Sequence, residues 1–270
     1  MSVLAPVKDA LAGILSLTHS ALTALGADPG GGLTWLVCVA VVVVVVRSLL
    51  LPVTVSGVRQ AHAAARARPH LRELSKRYQG KRDAESLRAM AEERQAIAAE
   101  HGISRLGCLP LLLQIPIWIS LYHLLSDVAA GTAVGAMDGG LVASLGTATL
   151  VGVPLASRGY AGAGPVHLAV VAGLAVTAAL LQFATQRYLV GSNTNTADLP
   201  EAMATAQQWV PALSAGGMLL AGGVVPVALL VYWVCSALWT TGQTAVIVRW
   251  FPTPGTPAHA RLLARAPGAA

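Results

Sequence analysis

The side chains best suited to chemistry in this sequence are polar groups set within long apolar stretches. Arg47 follows six consecutive valines and precedes a run of leucines. A charge near the centre of a bilayer costs about 2.5 to 3.5 kcal/mol even on insertion scales, so an intramembrane arginine indicates a functional site. Hydrogen-bonding side chains interrupt other apolar stretches, namely Gln114, Gln182, Tyr232, Trp233 and Ser236. Together they predict a hydrated, positively charged cavity that attracts an acidic, partly extended segment entering the membrane.

Four of these residues also have a simpler interpretation. Arg47 could extend to the membrane surface from a helix that ends near position 47. The apolar residues that continue beyond it, from Leu49 to Val55, argue against that placement. Tyr232 and Trp233 could be interfacial aromatic residues, and Ser236 could serve helix packing.

No catalytic motif accompanies these residues. The sequence contains no HExxH, GxSxG or Walker lysine loop, and no two of its seven histidines are three or four positions apart. Its three cysteines lie far apart in apolar runs, which is typical of small buried residues rather than of a disulfide or metal site. We therefore predict no enzyme activity, no catalytic residue, no metal and no cofactor.

Composition indicates an integral membrane protein. Hydrophobic residues make up 55% of the chain and charged residues 11%, with a mean hydropathy of +0.64, whereas soluble proteins contain about 25% charged residues. The net charge of +6 is concentrated, because eleven Lys or Arg against six acids fall between positions 57 and 105. Because the basic residues are concentrated in one segment, we predict no direct nucleic-acid specificity.

Apolar stretches predict an all-α fold with five transmembrane helices in a bundle. About twenty residues at about 1.5 Å each span the apolar core of a bilayer. The last stretch has twice that length and a Gly222–Pro226 turn, so it predicts two crossings. The predicted spans are 33–56, 106–126, 165–187 and, as the fourth and fifth, 209–248.

Two helical regions precede and follow the first span. The pattern of residues 1–32 predicts an external, interfacial amphipathic helix and a linker. The alternative is a cleaved signal peptide, which is disfavoured because no basic region precedes a compact apolar core. Residues 57–105 predict a basic helical hairpin with Asp83 as N-cap and Gly102 as C-cap. The hairpin either docks a partner or only fixes the orientation of the chain.

The remaining segments complete the predicted topology. They are an external loop at 127–164, a polar connector at 188–208 and an irregular, proline-rich tail at 249–270. Basic residues concentrate in the hairpin, at Arg187 just before the connector, and in the tail. The positive-inside rule therefore places the hairpin, the connector and the tail in the cytoplasm. The N-terminus is then outside and the C-terminus cytoplasmic.

Three of the predicted spans each carry a distinctive short motif. The motifs are Val46-Arg47-Ser48-Leu49-Leu50-Leu51-Pro52, then Gly107-Cys108-Leu109-Pro110 through Gln114-Ile115-Pro116 to Leu121-Tyr122, then Val231-Tyr232-Trp233-Val234 with Leu238-Trp239-Thr240-Thr241-Gly242-Gln243. In this order and topology they resemble bacterial YidC-type membrane protein insertases of the Oxa/Alb superfamily. Pro252–Gly255 is similar to actinobacterial members. The resemblance covers roughly positions 33 to 257.

The resemblance implies a bundle that encloses a hydrophilic groove, open to the cytoplasm and lipid and closed externally. It implies that Arg47 supplies the positive charge of the groove and that Gln114 and Trp233 line it. The implied function is insertion and folding of nascent membrane proteins in the bacterial inner membrane, without nucleotide hydrolysis. Implied partners are nascent membrane proteins and the lipid bilayer, with the ribosome and the Sec translocon as further candidates.

The sequence departs from the family pattern in two respects. It shows no counterpart of the first spanning helix and large external domain of many Gram-negative members, so we expect none of that domain's functions. The connector 192–208 has no Lys or Arg, and the tail has three arginines, whereas a longer basic tail helps the family to meet the ribosome. Two other functions stay open: a non-inserting assembly factor, and an anion transporter or channel that uses Arg47.

Overall fold

Long apolar stretches separated by glycine, proline and polar breaks produce a helical protein. The computed structural model is 77% helical and describes residues 4–81, 83–103, 109–161, 164–195 and 201–265, with the side chains of all of these except 109–113 and 201–203. The chain forms two compact units. The first comprises Met1–Leu49, Leu111–Gln186 and Trp209–Gly242, and the second Leu50–Pro110, Arg187–Gln208 and Gln243–Ala270.

Ten α-helices occur within the described residues, which confirms the all-α prediction. They are α1 (Ala5–Ala24), α2 (Gly32–Leu49), α3 (Leu51–Arg77), α4 (Ala84–Glu100), α5 (Leu109–Ala129), α6 (Gly139–Thr147), α7 (Pro165–Ala184), α8 (Glu201–Gly222), α9 (Val227–Trp250) and α10 (Pro257–Leu263). A minimal antiparallel pair, β1 (Thr149–Leu150) and β2 (Val153–Pro154), follows α6. Gly32–Leu49 and Pro165–Asn193 are long and apolar enough to cross a membrane.

The apolar core of the first unit begins where α1 packs along α2. Leu11 and Leu15 of α1 are buried, and the fully buried Trp35 of α2 lies in the same cluster. The His19 ring stacks 4.7 Å from that of Trp35, and its Nε2 lies 2.9 Å from the Pro29 carbonyl oxygen. The amphipathic pattern of the first helix therefore serves packing against its neighbour, in addition to any contact with the membrane surface.

The first predicted span, 33–56, is not one continuous helix. α2 ends at Leu49 and α3 begins at Leu51. Pro52 explains the break, because its nitrogen carries no hydrogen and its ring would clash with the carbonyl of Ser48 in an uninterrupted helix. Arg47 therefore lies in the last turn of α2, two residues before the helix ends at Leu49. Its depth in the membrane stays a prediction.

The basic hairpin forms from α3 and α4 in the second unit. Asp83 caps α4 as predicted, since its Oδ2 accepts a hydrogen bond from the Ser86 N–H at 2.8 Å. Gly102 follows the helix with φ of +69°, as expected of a C-cap glycine. Glu93 joins the two helices by accepting hydrogen bonds from Arg77 and Tyr78 at 2.8 and 2.7 Å. Of the hairpin's basic residues, Arg82 and Arg105 lie outside the described residues.

The third span is longer than predicted. α7 itself ends at Ala184, but a π-helix follows directly at Thr185–Val190 and a short 3₁₀ turn at Gly191–Asn193. The helical segment thus extends past Arg187, where the predicted span ends. Thr185 stabilises the change of pitch, because its hydroxyl bonds the Leu181 carbonyl and the Thr241 hydroxyl, both at 2.7 Å. The expected connector also begins later and ends sooner, since α8 starts at Glu201 rather than at 209.

The turn predicted between the last two spans is confirmed at Gly222–Pro226. Glycine is required there because Tyr160 approaches closely: a β-carbon on Gly222 would lie 2.7 Å from the Tyr160 hydroxyl. That hydroxyl donates to the carbonyl of Leu219. The 127–164 segment is thereby joined to the end of α8 within the first unit.

The segment expected to be an external loop and the tail expected to be irregular each contain a short helix. In the loop 127–164, Asp138 caps α6 by accepting from the Leu141 N–H at 2.8 Å. In the tail, Thr256 caps α10 by accepting from the His259 N–H at 3.4 Å. The prediction of an irregular tail is wrong at Pro257–Leu263. In both segments a capping side chain offsets the weak helix preference of a short stretch.

Substitution of Gly32 would test the packing at the start of α2. A β-carbon there would lie 1.8 Å from the carbonyl oxygen of Thr149, so Gly32→Ala forces backbone to move. We expect a loss of about 1–3 kcal/mol in stability, measured as a lower unfolding temperature in detergent. Gly13→Ala is the matched control, since no atom lies within 4 Å of its added carbon. Equal stability of the two variants would contradict this packing.

The Asp83 cap predicts acid sensitivity of α4. The backbone hydrogen bond from Ser86 lowers the pKa of Asp83 below its ordinary value of 3.8. The stabilisation is therefore present above pH 3.8 and lost as the pH falls through the lower folded pKa. We expect severalfold faster amide exchange in α4, corrected for intrinsic rates, in Asp83→Ala and in acidified wild type. Asp83→Asn should keep protection without the pH dependence, and pH-independent exchange in wild type would contradict the assignment.

Candidate functional site

A cavity of about 330 Å³ in the first unit brings all six residues singled out from the sequence together. Five helices contribute to its lining. Arg47 comes from α2, Gln114 and Trp118 from α5, Gln182 from α7, Ser214 and Met218 from α8, and Tyr232, Trp233, Ser236, Ala237 and Thr240 from α9. These are the helices within the five predicted spans.

Helical spacing explains how so many side chains meet. Residues four apart lie on the same face of a helix. Gln114 and Trp118 are related in this way on α5, as are Ser214 and Met218 on α8 and Tyr232, Ser236 and Thr240 on α9. Sequence reasoning missed Trp118, Ser214, Met218, Ala237 and Thr240, although the i+4 neighbours of Gln114 and Ser236 would have identified two of them.

Arg47 is held by a direct hydrogen bond. Its Nη2 donates to the Ser236 Oγ at 2.7 Å, and Tyr232 lies near both residues. Ser236, Tyr232 and Trp233 are 9%, 6% and 7% exposed, so they present a fixed wall to the guanidinium. The position of Arg47 in the last turn of α2 adds a favourable interaction with the carbonyls at the helix C-terminus.

The surroundings of Arg47 differ on two sides. One side is a space too small for a water molecule, lined by Val43, Val46, Ile117, Leu121 and Tyr232. The other is the 330 Å³ cavity, which is open and has room for water or a polypeptide segment. Arg47 therefore lies at a boundary between tight apolar packing and an open space.

The cavity has an unbalanced positive charge. Among the lining residues that the structure describes, Arg47 is charged and none is Asp or Glu. The remaining polar groups are amides, hydroxyls and an indole, which donate or accept hydrogen bonds without neutralising the arginine. Such a lining is chemically complementary to an anionic, hydrogen-bonding group.

Cys38 and Cys235 are not among the residues that line the cavity. Cys38 is buried and Cys235 half-buried, and neither forms a disulfide, while Cys108 lies outside the described residues. In the part of the chain that the structure describes, no three His, Cys, Asp or Glu side chains gather in a metal-binding group. The motif Gly107-Cys108-Leu109-Pro110 falls where no side chain is described, so its role stays a prediction.

Comparison with known proteins identifies the family. The family model described as "60Kd inner membrane protein" matches residues 28–254, which is most of the chain. This chain belongs to the 60Kd inner membrane protein family. The resemblance drawn from the three motifs is thereby confirmed, and the chain is a helical protein of the cell membrane from a family of insertases rather than of enzymes.

Several relatives in the 60Kd inner membrane protein family carry the name membrane protein insertase YidC. The one from Streptomyces avermitilis is 31% identical over 252 residues, which are 89% of this chain and 56% of that protein. The one from Tropheryma whipplei is 28% identical over 267 residues, covering 94% and 86%. The one from Bifidobacterium longum is 25% identical over 264 residues, covering 96% and 78%. The chain thus spans little more than half of the Streptomyces relative.

The cavity of this 60Kd inner membrane protein family member predicts a pattern of chemical accessibility. In a chain with Cys38, Cys108 and Cys235 replaced by alanine, Gln114→Cys and Thr240→Cys should react with a membrane-impermeant maleimide added to inverted vesicles. Both positions line the open space. Leu229→Cys, at a fully buried position, is the control and should stay unmodified. Equal reactivity at all three positions, or none at 114 and 240, would contradict an open hydrated cavity.

Proposed function

We propose that this protein inserts nascent membrane proteins into the bilayer and helps them to fold. The observation that supports this function is the cavity, in which one cation and several hydrogen-bonding groups from five helices face a space large enough for a peptide. The relatives named membrane protein insertase support the same activity. The groove residues of the proposal are Arg47, Gln114, Gln182, Tyr232, Trp233 and Ser236.

The physical step is a shortened polar path across the membrane. A client segment places its hydrophilic, often acidic, tail beside Arg47, where charge and water lower the cost of leaving the aqueous phase. Its apolar helix then moves along the outside of the bundle into lipid, and burial of apolar surface drives completion. The step requires neither covalent chemistry nor nucleotide hydrolysis.

The proposed topology has five spans formed by α2, α5, α7, α8 and α9. All five helices line the cavity, and α2 and the Pro165–Asn193 segment have the length and apolarity of a span. The basic residues of the hairpin and the tail favour a cytoplasmic location for both, with the N-terminus, α1 and the 127–164 segment outside. The cavity then opens toward the cytoplasm and lipid.

Partners follow from the same topology. The proposed clients are nascent membrane proteins. The protein would act on them within the lipid bilayer of a bacterial plasma membrane. The hairpin of α3 and α4 offers exposed arginines, among them Arg66, Arg88 and Arg94, as a surface for the ribosome or the Sec translocon. The proposal assigns such contacts to the hairpin because the connector lacks Lys and Arg altogether.

The charge of Arg47 is the feature to test. In liposomes containing the purified protein, Arg47→Ala should slow insertion of a single-span client with an acidic external tail by about fivefold, because an ion pair in a water-filled cavity is worth about 1 kcal/mol. Arg47→Lys should retain activity, since charge rather than bidentate geometry is required. Insertion is measured as protection of the translocated tail from protease.

Two controls separate charge from fold. Ser236→Ala removes the 2.7 Å hydrogen bond and keeps the charge, so it should have a smaller effect than Arg47→Ala. A client with a neutral tail should be nearly insensitive to Arg47→Ala. Equal activity of wild type and Arg47→Ala on every client, at equal protein levels, would refute the proposed mechanism.

The same liposomes distinguish the two alternative functions. An assembly factor would crosslink to the client from positions 114 and 233 without supporting insertion. An anion transporter or channel would support uptake or conductance that depends on Arg47 in the absence of any client. Insertion together with crosslinks at both positions is the outcome expected here.

A further inference from the structure

A second cavity lies in the second unit, where the end of α9 meets α10. Its volume is about 470 Å³, within the range of small-molecule sites. The lining residues are Leu189, Ala245, Val246, Val248, Arg249, Trp250, Ala258, Arg261, Leu262 and Arg265. None of them belongs to the cavity that contains Arg47.

The charged part of this lining consists of three arginines. Arg249 stands in the last turn of α9, Arg261 in the last turn of α10, and Arg265 one helical turn later. All three side chains are exposed. The described stretches 187–195 and 243–265 contain no Asp or Glu in their sequence, so these stretches supply no carboxylate to neutralise the group. The arrangement attracts an anion with several oxygens.

The other part of the lining is apolar. Leu189, Val246, Leu262 and the Trp250 ring lie beside the arginines, and the Trp250 side chain is 62% exposed. Phe251 follows it and is 58% exposed. Tryptophan at the end of a membrane helix is typical of the headgroup region. Cationic and apolar surfaces therefore meet in one cavity.

The tail that supplies two of the arginines is firmly attached. Asn193 Oδ1 accepts from the Thr253 N–H at 2.7 Å, and Asn195 Nδ2 donates to the Gly255 carbonyl at 3.3 Å. The Thr256 cap begins α10, whose Ala258 is buried at 4% exposure. These contacts fix the start of α10 beside the turn at Gly191–Asn193. The cavity that α10 forms with the end of α9 is therefore preformed.

We propose that this cavity binds an anionic phospholipid, with the phosphate between Arg249, Arg261 and Arg265 and the first part of an acyl chain along Leu189, Trp250 and Leu262. A free phosphate would use the arginines but leave the apolar wall in water. Nucleic acid would also leave much of that wall unused, whereas a phospholipid satisfies both surfaces. The inference does not depend on the insertion activity.

The test measures lipid selectivity of the full chain. The protein is extracted in mild detergent from vesicles of equal parts phosphatidylglycerol and phosphatidylcholine, and the bound lipids are counted by native mass spectrometry. Wild type should be enriched in phosphatidylglycerol. Arg261→Gln should lower the enrichment by roughly fivefold, and the triple change R249Q/R261Q/R265Q by more than about tenfold.

A matched control separates the site from general basicity. The triple change R66Q/R88Q/R94Q removes the same charge from exposed positions on α3 and α4, and should leave the enrichment within about twofold of wild type. Leu262→Ser should weaken lipid retention without changing the charge. Equal effects of the two triple changes, or no effect of Leu262→Ser, would overturn the proposal in favour of a diffuse basic surface.

Two further measurements exclude other anions. Glycerol phosphate at millimolar concentration should not displace the bound lipid, and displacement would assign the cavity to a soluble phosphate compound. An RNA oligonucleotide retained in place of lipid, and lost in R249Q/R261Q/R265Q, would assign the arginines to nucleic acid. Insertion by the same triple variant should persist, so failure of the lipid site and failure of the insertase proposal remain distinguishable.

Discussion

The fold depends on accommodating one guanidinium among apolar helices. Arg47 cannot be packed like its valine neighbours, because removing the charge from water without a partner costs far more than a methyl group contributes. Three features offset this cost: the hydroxyl of Ser236 at 2.7 Å, the C-terminal carbonyls of α2, and the open space of about 330 Å³. Each requires a particular helix in a particular place. The bundle is therefore arranged around a cavity that an all-apolar core would have closed.

The site was more predictable from sequence than the boundaries of its helices. Arg47, Gln114 and Gln182 stand out because polar groups at membrane depth are costly and rare, and that cost applies whatever the details of packing. Helix ends are decided by local chemistry instead. Pro52 ends α2 early, and the hydroxyl of Thr185 accompanies a π-helix that no periodicity indicates. The helices α6 and α10 were missed because Asp138 and Thr256 each act through one capping hydrogen bond.

The cavity containing Arg47 in the first unit and the cavity at α10 in the second unit differ in their chemistry. The cavity containing Arg47 has one cation, several neutral hydrogen-bonding groups and two buried aromatic side chains. The cavity at α10 has three exposed arginines beside an apolar wall. A single charge among neutral polar groups suits a ligand that must bind briefly and leave. Several charges beside an apolar surface suit one that remains. Under the two proposals, the distribution of arginine thus separates a transient site from a resident one.

The hydrogen bond between Arg47 and Ser236 also has a temporal consequence. The two residues are 189 positions apart, so the hydroxyl that receives the guanidinium is synthesised long after the arginine. At about 5–20 residues per second, the interval is on the order of ten seconds or more. Throughout it, α2 must reside in or near the membrane with its cation exposed to water or to another protein. The protein's own biogenesis therefore poses the same problem that the proposed function assigns to its cavity.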